Sequence, residues 1–211
     1  MIIGKFVAIV VIGYLLGSIP FGLIVGKLAR GIDVRGSGSG KTGATNVMRA
    51  VGTKFGILTI VLDVVKAITA VLLAKLIVGD DLMLLGSIPA WQVAQVMTGL
   101  SVVAGHVWPV FAKFKGGRGV TAFFGTMYAI CPPAALVGTE VLAAVALGSR
   151  RMALGSILGM TATWCIMIPL TIAYGLPPIY LAYGLAGMAL VIYQHRDNIK
   201  RLSQKTEREI F

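Results

Sequence analysis

What most constrains this chain is a series of apolar runs, several reaching about 20 residues, each ended by basic or glycine-rich sequence. A helix of that length crosses a hydrocarbon core roughly 30 Å thick. The runs therefore predict an all-α integral membrane protein, read as a single membrane-embedded domain over 1–211. Composition agrees, with 57% hydrophobic and only 13% charged residues, where a soluble domain carries about 25% charged. The first run starts after Lys5 and lasts to about Val25, too long for a signal-peptide core, so it reads as a retained span. Cys131 and Cys165 lie inside apolar runs with no disulfide pattern and no metal spacing, and read as buried filler.

The net charge of +11 invites a nucleic-acid reading, but within the basic clusters an aromatic interleaves only at Phe114. The charges sit at the ends of apolar runs, the pattern of basic loops held toward the cytoplasm. Spans are expected at roughly 6–27, 55–78 and 91–111, with a basic loop at about 28–54 and an acidic loop at Asp80 and Asp81. The stretch 119–149 is about 30 residues long and ends at Arg150-Arg151. Crossed once, it would put that pair outside. Two short helices meeting at Cys131-Pro132-Pro133 return the chain inside, because proline ends a helix and restricts the residue before it. Further spans at roughly 152–173 and 177–194 make seven transmembrane helices, N-terminus outside and C-terminus cytoplasmic.

That topology gathers the polar chemistry on one face. The first cluster, Gly38 to Arg49, reads GSGKTGATNVMR and offers bare amides, hydroxyls and cations suited to an anionic group such as phosphate. Gly40-Lys41-Thr42 resembles the end of a nucleotide-binding P-loop, but Arg35 stands where that motif needs glycine, and a membrane helix precedes it instead of a strand. The second cluster runs from His106 to Gly119, where Gly116, Gly117 and Gly119 flank Arg118 and let backbone amides approach an oxyanion. A helix opening at Val120 would add its dipole. The third, from His195 to Leu202, spaces His195 and Asn198 at i and i+3, with Arg201 beyond. Taken singly, the second and third clusters also fit basic turns at a membrane surface. Asp63 and Lys66, at i and i+3 inside the second span, are an ionisable pair at membrane depth, which serves either function or structural glue. Glu140 is a weaker candidate of the same kind.

Taken together, the motifs Gly38-Ser39-Gly40-x-x-Gly43-Ala44-Thr45-Asn46-x-x-Arg49, Gly105-His106 with Pro109-Val110-Phe111 and Phe114-Lys115-Gly116-Gly117-x-Gly119-Val120, and His195-Arg196-x-Asn198-Ile199-x-Arg201-Leu202 with Thr206-Glu207 resemble the bacterial acyl-phosphate:glycerol-3-phosphate acyltransferases. Gly17-Ser18-Ile19-Pro20 and Asp63-x-x-Lys66 fit as well, so the resemblance runs nearly end to end.

The resemblance implies a seven-helix enzyme of the bacterial inner membrane with its active site on the cytoplasmic face. It implies transfer of a fatty acyl group from acyl phosphate to the 1-hydroxyl of sn-glycerol 3-phosphate, the first step of phospholipid biosynthesis. No cofactor, metal or nucleic acid is implied; the partners are the two substrates, the bilayer and the enzyme that makes acyl phosphate. On this reading Lys115, the Gly116 and Gly117 amides and Ser39 hold the acyl-phosphate head, while Arg49, Thr45, Asn46, His195 and Asn198 bind glycerol 3-phosphate. Gly38, Gly40, Lys41, His106, Arg118, Ser156, Arg201 and Glu207 complete the expected substrate-binding set. The proton acceptor stays open between His195, His106 and the donor's own phosphate. The chain departs from the family pattern at Lys41, Arg118, Arg151, Ala153 and Lys205, the last standing where glycine is usual. The rival class is a small anion transporter, which would line a midplane path with polar groups; only Asp63, Lys66 and Glu140 qualify.

Overall fold

The computed structural model describes residues 2–80, 82–84 and 87–210, so Asp81 of the expected acidic loop lies outside the described residues. The described chain is nearly all helical: α1 (Ile2–Gly17), α2 (Phe21–Arg30), α3 (Ala44–Ala50), α4 (Thr53–Val78), α5 (Ala90–Val107), α6 (Val120–Ile130), α7 (Pro132–Ser149), α8 (Met152–Tyr174), α9 (Pro178–Gln194) and α10 (Arg196–Ser203). Short 3-10 turns lie at Val34–Gly36 and Val110–Ala112. After Asp80, β1 (Met83–Leu84) pairs antiparallel with β2 (Ile88–Pro89), which hydropathy does not signal. Five helical segments are long and apolar enough to cross a membrane, Ile2–Arg30, Thr53–Val78, Ala90–Ala112, Pro132–Ser149 and Met152–Tyr174; Val120–Ile130 and Pro178–Gln194 are apolar but shorter.

The first apolar run is not one helix. It breaks at Ser18–Pro20, because Pro20 cannot donate to the helical ladder. At the break the Ile19 carbonyl accepts from the Phe21 N–H at 3.1 Å, in place of an ordinary helical bond. Helix ends likewise fall on either side of Cys131, with Pro132 and Pro133 in the first turn of α7, where a missing N–H costs nothing.

The helices form two compact units, residues 1–130 and 131–211. In the first, α4 is the axis and touches α1, α2, α3, α5 and α6. Its buried side is built mainly from Ala67, Ala70, Val71 and Ala74, together with Asp63 and Lys66. Small residues bring backbones close where dispersion, not hydrophobicity, drives helix association in lipid. A Cβ on Gly17 would enter the backbone of Val102 in α5, and one on Gly105 would meet the Tyr14 carbonyl of α1. Those two contacts press the end of α5 against the break after α1. The Tyr14 hydroxyl completes the join by donating to the Trp108 carbonyl at 2.8 Å.

In the second unit, α7 packs along α8 through Gly155 and Gly159, and α10 rests on α8 and α9. The Ile210 N–H donates to the Arg150 carbonyl at 2.9 Å, pinning the tail to the α7–α8 turn. Cys131 is buried, but Cys165 is exposed on α8, contrary to its reading as buried filler. An apolar run has a lipid-facing side as well as a packed one, and hydropathy does not separate them. Glu140 also lies on an exposed side of α7.

Candidate active site

The first glycine cluster is shaped by one side chain. Gly38 and Gly40 adopt φ of 57° and 68°, which lets the chain double back at Ser39. Inside the curl lies Asn46, on the first turns of α3 and 2% exposed. Its Oδ1 accepts from the Ser39 N–H at 2.9 Å, and its Nδ2 donates to the carbonyls of Val34, Lys41 and Ser37 at 2.7, 2.9 and 3.1 Å. Both ends of the amide are thus occupied by loop backbone. Expected to touch substrate, Asn46 instead holds the loop around itself. Ser39, Lys41, Thr45 and Arg49 remain half-buried on the curl and its helix.

The second cluster folds back onto the end of α5. The Gly116 N–H donates to the Val107 carbonyl at 3.2 Å and the Gly117 N–H to the His106 carbonyl at 3.1 Å. A Cβ on Gly117 would collide with His106 Nε2, and one on Gly116 with the His106 carbonyl, so glycine is required at both. Lys113 and Phe114 turn the chain with φ of 54° and 59°, a conformation non-glycine residues adopt rarely. Lys115 is exposed, Arg118 half-buried, and α6 opens at Val120 as expected.

These two loops are fastened to each other. The Thr42 N–H donates to the Gly116 carbonyl at 3.4 Å, and Arg35 Nη1 donates to the Ala112 carbonyl at 3.1 Å. Arg35 also grips Asp33 through Nε and Nη2, with a shortest distance of 2.6 Å. The Arg35 side chain, then its backbone N–H, holds the Asp33 carboxyl below its usual range, and Asp33 in turn raises the Arg35 guanidinium. Sequence reading used Arg35 only to reject a nucleotide loop and missed this clamp.

Beneath the loops lies a buried polar knot. Lys66 Nζ sits 2.6 Å from Asp63 Oδ1, donates to the Ile19 carbonyl at 2.7 Å and lies 3.4 Å from His106 Nδ1. His106 Nδ1 is 3.5 Å from Asp63 Oδ1. The His106 ring is therefore held on one edge by the knot and packed against Gly117 on the other.

In the second unit, Asn198, Arg201 and Glu207 come together. Asn198 Nδ2 donates to Glu207 Oε1 at 2.6 Å and Arg201 Nε to Glu207 Oε2 at 2.8 Å. His195 Nδ1 lies 2.8 Å from the Val191 carbonyl. A carbonyl only accepts, so Nδ1 carries the proton and Nε2 holds the lone pair of the neutral ring. Ser156 stands apart from this group: its hydroxyl donates to the Met152 carbonyl of its own helix at 2.8 Å.

Comparison with known proteins bears on these motifs together. The sequence profile of the glycerol-3-phosphate acyltransferases matches residues 7–205. The chain belongs to the glycerol-3-phosphate acyltransferase family. It is 48% identical to glycerol-3-phosphate acyltransferase 3 of Dehalococcoides mccartyi (strain ATCC BAA-2266 / KCTC 15142 / 195), over 100% of this chain and 98% of that protein. It is 41% identical to the glycerol-3-phosphate acyltransferase of Aquifex aeolicus, over 94% of this chain and 95% of that one. The crystal structure of PlsY (YgiH), an integral membrane glycerol 3-phosphate acyltransferase, in its glycerol 3-phosphate form, superposes with a TM-score of 0.83. That match is 37% identical and covers 97% of this chain and 94% of the crystallised one. The lysophosphatidic acid form of the same enzyme gives a TM-score of 0.81. The first two motifs and His195–Leu202 of the third fall within the matched residues, and Thr206 and Glu207 lie just beyond them.

Proposed function

We propose that this acyltransferase moves a fatty acyl group from acyl phosphate to the 1-hydroxyl of sn-glycerol 3-phosphate, giving 1-acylglycerol 3-phosphate and phosphate. The observation that carries the reading is the pair of glycine loops fastened together by Thr42–Gly116 and Arg35–Ala112, which brings the hydroxyls and cations of both loops together in a member of this family. Acyl phosphate is a mixed anhydride with a good leaving group, so the protein needs no covalent nucleophile. Its task is alignment and charge stabilisation.

Lys115 and Ser39 are assigned to the acyl-phosphate head; the Gly116 and Gly117 N–H groups, expected there too, instead donate to the Val107 and His106 carbonyls. Arg49 suits a phosphate because its fork is bidentate; with Thr45, His195 and Asn198 it is assigned to glycerol 3-phosphate. In the reaction the 1-hydroxyl oxygen bonds to the acyl carbon, the bond from that carbon to the phosphate oxygen breaks, and the hydroxyl proton passes to an acceptor. The tautomer fixed by Val191 makes His195 Nε2 the better protein acceptor, since His106 is tied into the knot at Nδ1 and packed at Nε2. The departing phosphate is the other acceptor. As one membrane-embedded domain, the chain would cross the bacterial inner membrane seven times, N-terminus outside, with this chemistry on the cytoplasmic face.

Phosphate release from acyl phosphate by the purified protein in detergent tests the reading. Release should require glycerol 3-phosphate and match the 1-acyl product mole for mole, and acyl-CoA should not replace the donor. Release independent of glycerol 3-phosphate, or equal turnover with acyl-CoA, overturns it.

A further inference from the structure

The Asp63–Lys66 pair is set apart by where its contacts lead. Both side chains are at most 3% exposed, deep in α4, and an ionisable pair at such depth is costly to keep. An ion pair that only neutralised itself would need no third element. Lys66 has two: the Ile19 carbonyl at the break between α1 and α2, and the His106 ring at the end of α5. The break leaves the Ile19 carbonyl outside a regular helix, and the ammonium donates to it alongside the Phe21 N–H. A narrow crevice opens at the pair, lined by Asp63 and Lys66 themselves with Phe21, Thr42, His106 and Pro109.

From His106 the path continues into the second loop. The His106 carbonyl accepts the Gly117 N–H, its ring occupies the space a Cβ on Gly117 would take, and the Val107 carbonyl accepts the Gly116 N–H. Gly116 in turn receives Thr42 of the first loop. Both glycine loops thus hang from the place where Lys66 holds the end of α5 against the helix break.

We propose that Lys66 is a positioning residue, paired with Asp63 and acting through His106, that fixes where the second loop presents Lys115. The inference rests on the assignment of Lys115 to the acyl-phosphate head. Losing an interaction made alike in the ground and transition states raises KM and leaves kcat, so the defect should appear in KM for the donor.

The test compares Lys66→Met with Gly117→Ala, which disturbs the loop directly, in the full-length protein in detergent. Both should raise KM for acyl phosphate by about tenfold or more and leave kcat within about threefold. Lys66→Met leaves Asp63 as a lone buried charge and should also lower Tm; Asp63→Asn with Lys66→Met removes that charge. The double variant should recover Tm and keep the raised KM. If KM returns to normal along with Tm, Lys66 is structural only and the proposal is overturned. It is equally overturned if Gly117→Ala raises a KM that Lys66→Met leaves alone. If both variants raise KM for glycerol 3-phosphate instead, the positioning role of Lys66 stands and the assignment of the loop to the acyl donor falls.

Discussion

Asn46 offers the most direct check on how the first loop is built. Replacing it with alanine removes one acceptor and two donor hydrogens that together engage Ser39, Val34, Lys41 and Ser37. Water can reach the exposed Ser37 and so replace the amide there, but Val34 is fully buried. Stranding a buried backbone group costs about 1–3 kcal/mol, and the part-buried Ser39 and Lys41 bonds add roughly 0.5–1.5 kcal/mol each. The curl should lose about 2–6 kcal/mol of ordering free energy. At a factor of ten per 1.4 kcal/mol, kcat/KM should fall by at least roughly 30-fold and by up to about 20,000-fold. Asn46→Asp should be no better, since it keeps the acceptor for Ser39 but turns a carboxylate toward three carbonyls. Hydrogen exchange separates this account from direct substrate contact. Without any substrate, amides from 34 to 42 should exchange faster in Asn46→Ala, Ser39 most of all. If exchange there is unchanged while activity is lost, Asn46 acts on the substrate and the loop argument is wrong.

Three further expectations follow from the geometry. Lys205 sits at φ 57°, with its N–H on the Leu202 carbonyl and the Thr206 N–H on the Arg201 carbonyl, the bonding of a helix end that favours glycine; Lys205→Gly should raise stability by roughly 0.5–1 kcal/mol, about 1–4 °C in Tm, and Lys205→Ala should not. Glu207→Gln replaces one acceptor of the Asn198 and Arg201 donors with a competing donor; a loss of about 2 kcal/mol should lower kcat/KM for glycerol 3-phosphate roughly 30-fold, seen in initial rates at saturating donor. The folded Asp33 carboxyl titrates below its usual 3.8, so its contribution is complete above that value and is lost only as pH falls through the lowered one. The pH–rate profile of Asp33→Asn should therefore run parallel to that of the parent between pH 5 and 9, and an inflection moved within that range would refute the Asp33–Arg35 account.

The sequence carried the helical, membrane-spanning character because hydropathy over about 20 residues is a strong signal. It carried Val120 as a helix start, and a helix end before Pro132, through glycine and proline chemistry. Other features needed relations between distant residues. Asn46 read as a ligand because spacing places a side chain on a turn without saying which way it faces. Glu207 meets Asn198 and Arg201 only because the chain reverses at Lys205, a residue whose type argues against the conformation it adopts. Lys66 and His106 are 40 positions apart, and only the close approach of α1 and α5 at Gly17 and Gly105 brings the helix break and the second loop to the same lysine. Gly17, Ser18 and Pro20 mark the break after α1, but reading the run whole, for its length, passes over it.

The shared bonds between the two glycine loops bear on how the substrates bind as a pair. Loops joined through Thr42–Gly116 and Arg35–Ala112 do not stiffen independently. An anion that orders one loop lowers the entropy still to be lost by the other, so a second anion meets a surface already set. The result is heterotropic cooperativity without any change of shape. By reciprocity, each loop ligand should tighten the other by the same factor.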